Sequence, residues 1–267
     1  MDWTRSNPTR LNVVSLPGDQ NVATAERDVV GKAGLMVIGE ADASGELNPD
    51  TLMPYLRGGV TSSDARISYE KKAGMAGYSG MCEDNRFGMA LIFTVSNPQD
   101  VLRAEQDYLL KEAPFSKVAL SILLSEGTVL LPLASADKVP VRKTESLKGR
   151  MEDAIANDPE ALERLAREEL VRFERAMKKV QETDIFSVVD NFFMPHGMES
   201  DQYYFMGVIL SKKLFVNELT DEHFYRMVID CNGVEFTIAV NQKDLEGEPM
   251  VGYRLKGRGM LMGELKE

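Results

Sequence analysis

Tyr225-Arg226-Met227-Val228-Ile229-Asp230-Cys231-Asn232-Gly233-Val234-Glu235-Phe236-Thr237-Ile238-Ala239-Val240 is the stretch that decides the fold. Tyr225, Met227, Ile229 and Cys231 alternate with more polar residues, and Val234, Phe236, Ile238 and Val240 do the same on the far side of Asn232-Gly233. Period-two alternation puts one set of side chains on one face of a strand. An Asn-Gly pair between two such runs is the strongest short hairpin signal, because a type I′ turn needs φ > 0 at both central residues. Around it, from Tyr203 onward, the pattern is almost wholly β. Glu246-Gly247-Glu248-Pro249 makes a turn, and Val251 to Leu265 supplies one or two last strands in which Gly252, Gly257, Gly259 and Gly263 permit sharp coiling. Several short strands in so few residues predict a small closed or partly open barrel over 183–267.

Upstream, Gly34 to Glu40 reads as a strand, Asp42-Ala43-Ser44-Gly45 as a turn, and Asn48-Pro49-Asp50-Thr51 as the start of a short helix carrying Leu52, Met53 and Leu56. Residues 64–72 alternate as a strand, Phe87 to Val95 is a more continuous apolar run of the central-strand kind, and Asn97-Pro98 opens a helix with Val101, Leu102, Tyr108 and Leu109 on its inner side. Val118, Leu120, Ile122 and Leu124 alternate, and Glu126-Gly127 before Thr128-Val129-Leu130-Leu131 reads as a hairpin turn. Residues 1–30 are polar, punctuated by Pro8, Pro17 and Gly18, and read as an irregular lead-in. Asp158-Pro159 starts a charge-laced helix at about 159–181, with Leu162, Leu165, Phe173, Met177 and Val180 at helical spacing. The fold class expected is α+β: an N-terminal, mostly antiparallel sheet with helices, a long charged helix, and a C-terminal small β-barrel. The corresponding domains are an α+β domain over 31–143, a helical connector over 144–182 and the barrel over 183–267.

The 267 residues suit two domains, and 43% hydrophobic content suffices for a core. The net charge of −11 repels phosphate backbones on average. Two well-separated cysteines, Cys82 and Cys231, with no CxxC pair, fit a reducing compartment. No apolar leader and no membrane-length apolar run is present, which places the expected protein in the cytoplasm, soluble and off the membrane.

A second set of stretches resembles an uncharacterised family of proteins from clostridial gut anaerobes. These are Met53-Pro54-Tyr55 with Gly58-Gly59, Met81-Cys82-Glu83-Asp84, Gly88 to Phe93, Leu130-Leu131-Pro132, Asp184 to Asp190, Phe193-Met194-Pro195, Asp201-Gln202-Tyr203, Ile229 to Asn232, and Asp244 to Pro249 with Gly252. They run in order over about residues 34–265. The family is a domain of unknown function, so the resemblance implies a soluble intracellular protein and carries over no catalytic residue.

Residue chemistry supplies few candidates. His196, in Met194-Pro195-His196-Gly197, has Asp190, Glu199 and Asp201 nearby in sequence and could serve a hydrolase-like enzyme, but no HxH or HxxxH pair supports a metal site. His223 stands alone. Cys82 lacks a base placed by any motif, and Cys231 falls on the apolar face of the hairpin. Gly74 to Gly80 is followed by Cys82-Glu83-Asp84, which would repel a phosphate. Asp184 and Asp190 are six apart, which suits capping better than a catalytic pair. Fifteen methionines read as adaptable core filler.

The most distinctive feature is a basic stripe, Arg254, Lys256 and Arg258, alternating along the last strand beside Tyr253. Alternate side chains share a face, so the three cations should point together while Tyr253, Leu255 and Gly257 turn to the core. Small barrels bind single strands through such grooves. Residues 200–267, however, hold 8 Lys/Arg against 11 Asp/Glu, which favours a solvated face. The expectation is a non-enzymatic module binding a protein or small ligand, with no cofactor, no metal and no catalytic residue. Tyr253, Arg254, Lys256 and Arg258 are its candidate binding residues. Single-stranded nucleic-acid binding and a His196 enzyme are the alternatives.

Overall fold

The alternation around Asn232-Gly233 folds as expected. Tyr225, Met227, Ile229, Cys231, Val234, Phe236, Ile238 and Val240 are all buried, and the strands pair from Cys231 with Val234 out to Tyr225 with Val240. Asn232 and Gly233 take φ of 57° and 75°, the signs a type I′ turn demands. The computed structural model of the protein describes residues 8–16, 20–42, 46–107, 115–133, 189, 191–197, 200–217 and 220–267.

In chain order the strands are β1 (Arg10–Leu16), β2 (Gln20–Val30), β3 (Ala33–Ala41), β4 (Leu47–Leu56), β5 (Ile67–Lys71), β6 (Tyr78–Asp84) and β7 (Met89–Val95). The helix α1 (Pro98–Asp107) follows, then β8 (Lys117–Leu130), β9 (Phe192–Pro195), β10 (Gln202–Val216), β11 (His223–Cys231), β12 (Val234–Asn241), a 3₁₀ turn (Gln242–Asp244), β13 (Leu245–Glu246) and β14 (Arg254–Lys266). Among the described residues this makes fourteen strands and one α-helix, so the α+β expectation gives way to a nearly all-β fold. The charged helix expected at 159–181 and the whole 144–182 connector lie outside the described residues.

Strands β1 to β4 form a four-stranded antiparallel sheet. The rest build one larger sheet whose middle closes on itself. The ring runs β8, β12, β11, β10, β14 and back to β8, with only the β8–β12 pair parallel. The five-stranded barrel therefore draws its closing strand from residues 117–130, well before the C-terminal stretch that announced it. Beyond β14 the sheet continues into β7, β6 and β5. By internal contacts the chain divides into two units, residues 1–131 with 191–267, and residues 132–190.

Three local expectations are corrected. Residues 10–16 and 20–30 are strands β1 and β2 where an irregular lead-in was expected. Residues 47–56 form β4 where a short helix was expected. β4 lies at the sheet edge, where Pro49 and Pro54 forfeit no ladder bond. Glu126-Gly127 is not a turn, because β8 runs through it as a single 14-residue strand. The ladder to β14 shifts register there, Arg258 facing Glu126 and Gly259 facing Leu124, so Ser125 is the extra residue of a β-bulge. Gly127 permits close approach, since a Cβ on it would come within 2.8 Å of Leu124. The helix after Asn97-Pro98 forms, with Val101 and Leu102 buried as expected, and Tyr108 and Leu109 lie outside the described residues. Asn97 fastens it to β14 by accepting from the Leu265 amide and donating to the Leu265 carbonyl, each at 2.9 Å.

The barrel interior is packed with side chains including Leu120, Ile122, Phe205, Ile209, Met227, Ile229, Phe236 and Leu255. The inner face of the four-stranded sheet, through Met36, Ile38, Tyr55 and Leu56, packs against Ala239 and Met262 on the barrel's outer wall.

Candidate functional site

Strand alternation on β14 puts Arg254, Lys256 and Arg258 in one phase, cross-strand from Val208, Met206 and Tyr204 on β10 and from Leu130, Thr128 and Glu126 on β8. Leu255 and Gly257 occupy the opposite, buried phase, and Tyr253 packs half-buried against the core. The three cations differ in setting. Arg254 is 5% exposed, and its Nε donates to the Leu131 carbonyl at 2.9 Å. Lys256 is half-buried. Arg258 reaches surface, with its Nε 3.5 Å from the Glu126 carboxylate.

The same pairing continues the Arg258 row across four strands. Met194 on β9, Tyr204 on β10, Arg258 on β14 and Glu126 on β8 stand side by side. Met194 is 52% and Tyr204 37% exposed. The His196 ring meets Tyr204 edge-on at 5.1 Å. Its backbone continues the β9–β10 pairing, the His196 amide donating to the Gln202 carbonyl at 2.7 Å. Sequence reasoning missed Met194 and Tyr204. The available signal was the adjacent pair Tyr203-Tyr204: Tyr203 is 1% exposed, so Tyr204 takes the outer face.

The other candidates separate. The Asp201 carboxylate accepts from Thr94 Oγ1 at 2.6 Å and lies 3.7 Å from Lys72 Nζ. Asp184, Asp190 and Glu199 lie outside the described residues, and no group of His, Cys, Asp and Glu fit to hold a metal occurs among those described. His223 is exposed at the start of β11. Both thiols are fully buried. Burial pushes the Cys82 thiol up and the Cys231 thiol up to about 12, so neither is a thiolate nucleophile at neutral pH. The glycine run 74–80 passes from the β5–β6 turn into the first residues of β6, the turn being closed by the Lys72 amide donating to the Gly77 carbonyl at 3.0 Å.

A family model described as a domain of unknown function, E. rectale gene description (DUF3881), matches residues 1–263. The chain belongs to the DUF3881 family. The match takes in the first 30 residues, which the resemblance read from the sequence left out. No curated protein and no solved structure matches this DUF3881 chain. No helix among its described residues is long and apolar enough to cross a membrane.

One stretch that carried the resemblance ends in a part-buried clamp of this DUF3881 fold. Asp84, from Met81-Cys82-Glu83-Asp84, accepts from Arg86 Nε at 2.9 Å, from Arg86 Nη2 at 2.6 Å and from Ser63 Oγ at 2.6 Å. Arg86 then donates to the Ser62 carbonyl and to the Gly233 carbonyl at the hairpin turn. Burial raises the Asp84 carboxyl, but the bonds from Arg86 and Ser63 outweigh it and hold the group at about 2. A folded-state pKa below the ordinary value of 3.8 stabilises the fold above about pH 4, and that contribution is lost as pH falls from 4 toward 2. Acid unfolding should therefore show a component on the order of 1–2 kcal/mol in that window. Asp84→Asn should remove it, read as a flatter dependence of unfolding free energy on pH between 4 and 2.

Proposed function

We propose that this chain is a non-enzymatic protein-binding module whose contact face is the barrel wall around Tyr204 and Arg258. The observation that carries this reading is the exposed row of Met194, Tyr204 and Arg258 on three adjacent strands, with His196 set against Tyr204. Tyrosine, methionine and arginine are the side chains that protein interfaces enrich. Here they project from strands rather than loops, which lowers the ordering cost of association. The 3.5 Å contact to Glu126 leaves Arg258 able to trade that carboxylate for a partner's. Of the other candidate residues, Lys256 continues the face along β14, whereas Arg254 in the same phase is buried and Tyr253 packs against the core.

The test is site-specific photo-crosslinking from position 194 in living cells, with Tyr204→Ala/Arg258→Glu as the comparison. The reading expects one or a few protein adducts that fall about tenfold in the double variant, the size of effect a central interface pair carries. Adducts unchanged in that variant would overturn it. Nuclease-sensitive adducts would replace it with single-stranded nucleic-acid binding through Tyr204 and the basic stripe.

A further inference from the structure

Strand β10 outlasts its partner on one side. Its ladder to β14 stops at Val208, and the last backbone bonds on that side join Ile209 to Gly252 and Tyr253. On the other side it pairs with β11 through to Val216. Among the described residues no strand pairs with the open edge over Leu210–Val216. A register shift between Ile209 and Ser211 lets β10 leave β14 at that point.

The two faces of this free segment differ in chemistry. Lys212 pairs with Met227 and Leu214 with Tyr225, so Lys212, Leu214 and Val216 continue the barrel's inward phase past its rim. Leu214 and Val216 are 47% and 50% exposed there. Lys212 is already paired, 2.9 Å from Glu248. Lys213 and Phe215 occupy the other phase, Phe215 packed on Gly31 and Lys213 Nζ 4.9 Å from the Phe215 ring centre. Lys213 has no carboxylate partner among the described residues.

We infer that the free edge of β10, Leu210–Val216, takes up an extended acidic segment of another protein by adding it as a strand. The open backbone edge requires an occupant with its own unpaired amides and carbonyls, which is an extended peptide. Leu214 and Val216 call for apolar residues at every second position, and Lys213 calls for carboxylates at the positions between. A second copy of this chain fits less well, because it would bring another Lys213 to the same edge. This site is separate from the Tyr204 face and does not rest on it.

Fluorescence anisotropy with a labelled, N-acetylated (Val-Glu)₃ amide and the full chain tests the inference. Saturable binding is expected, weakened by salt. Methylating two backbone nitrogens on one edge of the peptide removes two ladder bonds and should raise Kd about tenfold or more. Leu214→Glu should weaken binding by a similar factor without shifting Tm, since the side chain is half exposed. Lys213→Glu should reverse the preference toward (Val-Lys)₃, a result that mere surface stickiness would not give. Tyr204→Ala should change nothing. Absence of binding at low salt, equal binding of the N-methylated peptide, or indifference to the Lys213 reversal would each overturn the inference. A shift of the free protein to dimer that Leu214→Glu abolishes would assign the edge to self-association instead.

Discussion

Replacing Glu26 with alanine is expected to destabilise the fold by about 3–5 kcal/mol, among the largest effects any exchange in the N-terminal sheet would produce. Glu26 is fully buried. One Arg57 Nη2 reaches both its oxygens, at 2.6 and 2.7 Å, and Arg10 Nε donates to it at 2.7 Å. Arg10 also binds Asp28 at 2.8 Å, and Asp28 accepts a short hydrogen bond from the Tyr55 hydroxyl. Burial and that bond push the Tyr55 hydroxyl up, so it remains a donor at neutral pH. Both guanidinium groups lie over the Tyr55 ring, 5.9 and 5.7 Å from its centre. The network extends to the barrel, because Arg57 lies 3.4 Å from Glu264 on β14 and Arg226 on β11 donates to the Arg57 and Gly31 carbonyls.

Deleting the Glu26 carboxylate would leave two cations close together beside Tyr55 with their shared counter-charge gone. Removing one partner of a buried pair costs more than the pair contributes, since the remaining charge keeps its desolvation penalty. Glu26→Gln keeps the shape but not the charge and should fall between wild type and Glu26→Ala. Urea unfolding monitored by circular dichroism measures both, and Tm should drop by roughly 10 °C for alanine at this chain length. A loss below about 1 kcal/mol, the range of an exposed ion pair, would show that packing of Met36, Ile38 and Leu56 against Ala239 and Met262, not this network, holds the sheet to the barrel.

The same network explains why β2 was illegible in the sequence. Its inward phase is Val22, Thr24 and Glu26, and its other phase is Ala23 and Ala25. Thr24, Glu26, Ala23 and Ala25 are all at most 1% exposed. A buried carboxylate and small side chains carry little hydrophobic contrast, so period two gives no signal where burial is satisfied by charge pairing. The β11–β12 hairpin was legible for the opposite reason: large apolar residues fill its buried phase and a turn of one chemistry joins its halves. β4 and β8 were misread because proline and glycine are ambiguous punctuation. Pro49 can open a helix or sit on a sheet edge, and Gly127 can make a turn or a bulge, and only the neighbouring strand decides. For the candidate site, the alternation of Arg254, Lys256 and Arg258 followed from the sequence. Their unequal exposure and the row to Tyr204 and Met194 depend on how β14 pairs with β8 and β10, strands distant in sequence, and on the pairing of β9 with β10.

Pairing between strands distant in sequence also encloses Phe93, and Phe93→Ala is expected to cost about 3–5 kcal/mol. Phe93 is fully buried on β7. Its ring covers two glycines on the flanking strands, Gly80 on β6 and Gly263 on β14. A Cβ on Gly80 would come within 2.2 Å of the ring, and one on Gly263 within 2.4 Å of it and 3.0 Å of Val118. The glycines make room for the aromatic ring, and the ring fills the space they leave. Alanine at 93 would open a cavity with two bare backbone stretches as walls, which cannot collapse because both strands are held in their ladders. Gly263→Ala should separately cost about 1–3 kcal/mol by overpacking. The two effects should not add: in a Phe93→Leu background the added methyl meets a smaller side chain, and Gly263→Ala should cost less by about 0.5–3 kcal/mol. Urea melts of the four proteins give the coupling. Strict additivity would mean that Gly263 is required for its backbone and not for the ring, and that β14 and β7 are joined by their short ladder alone.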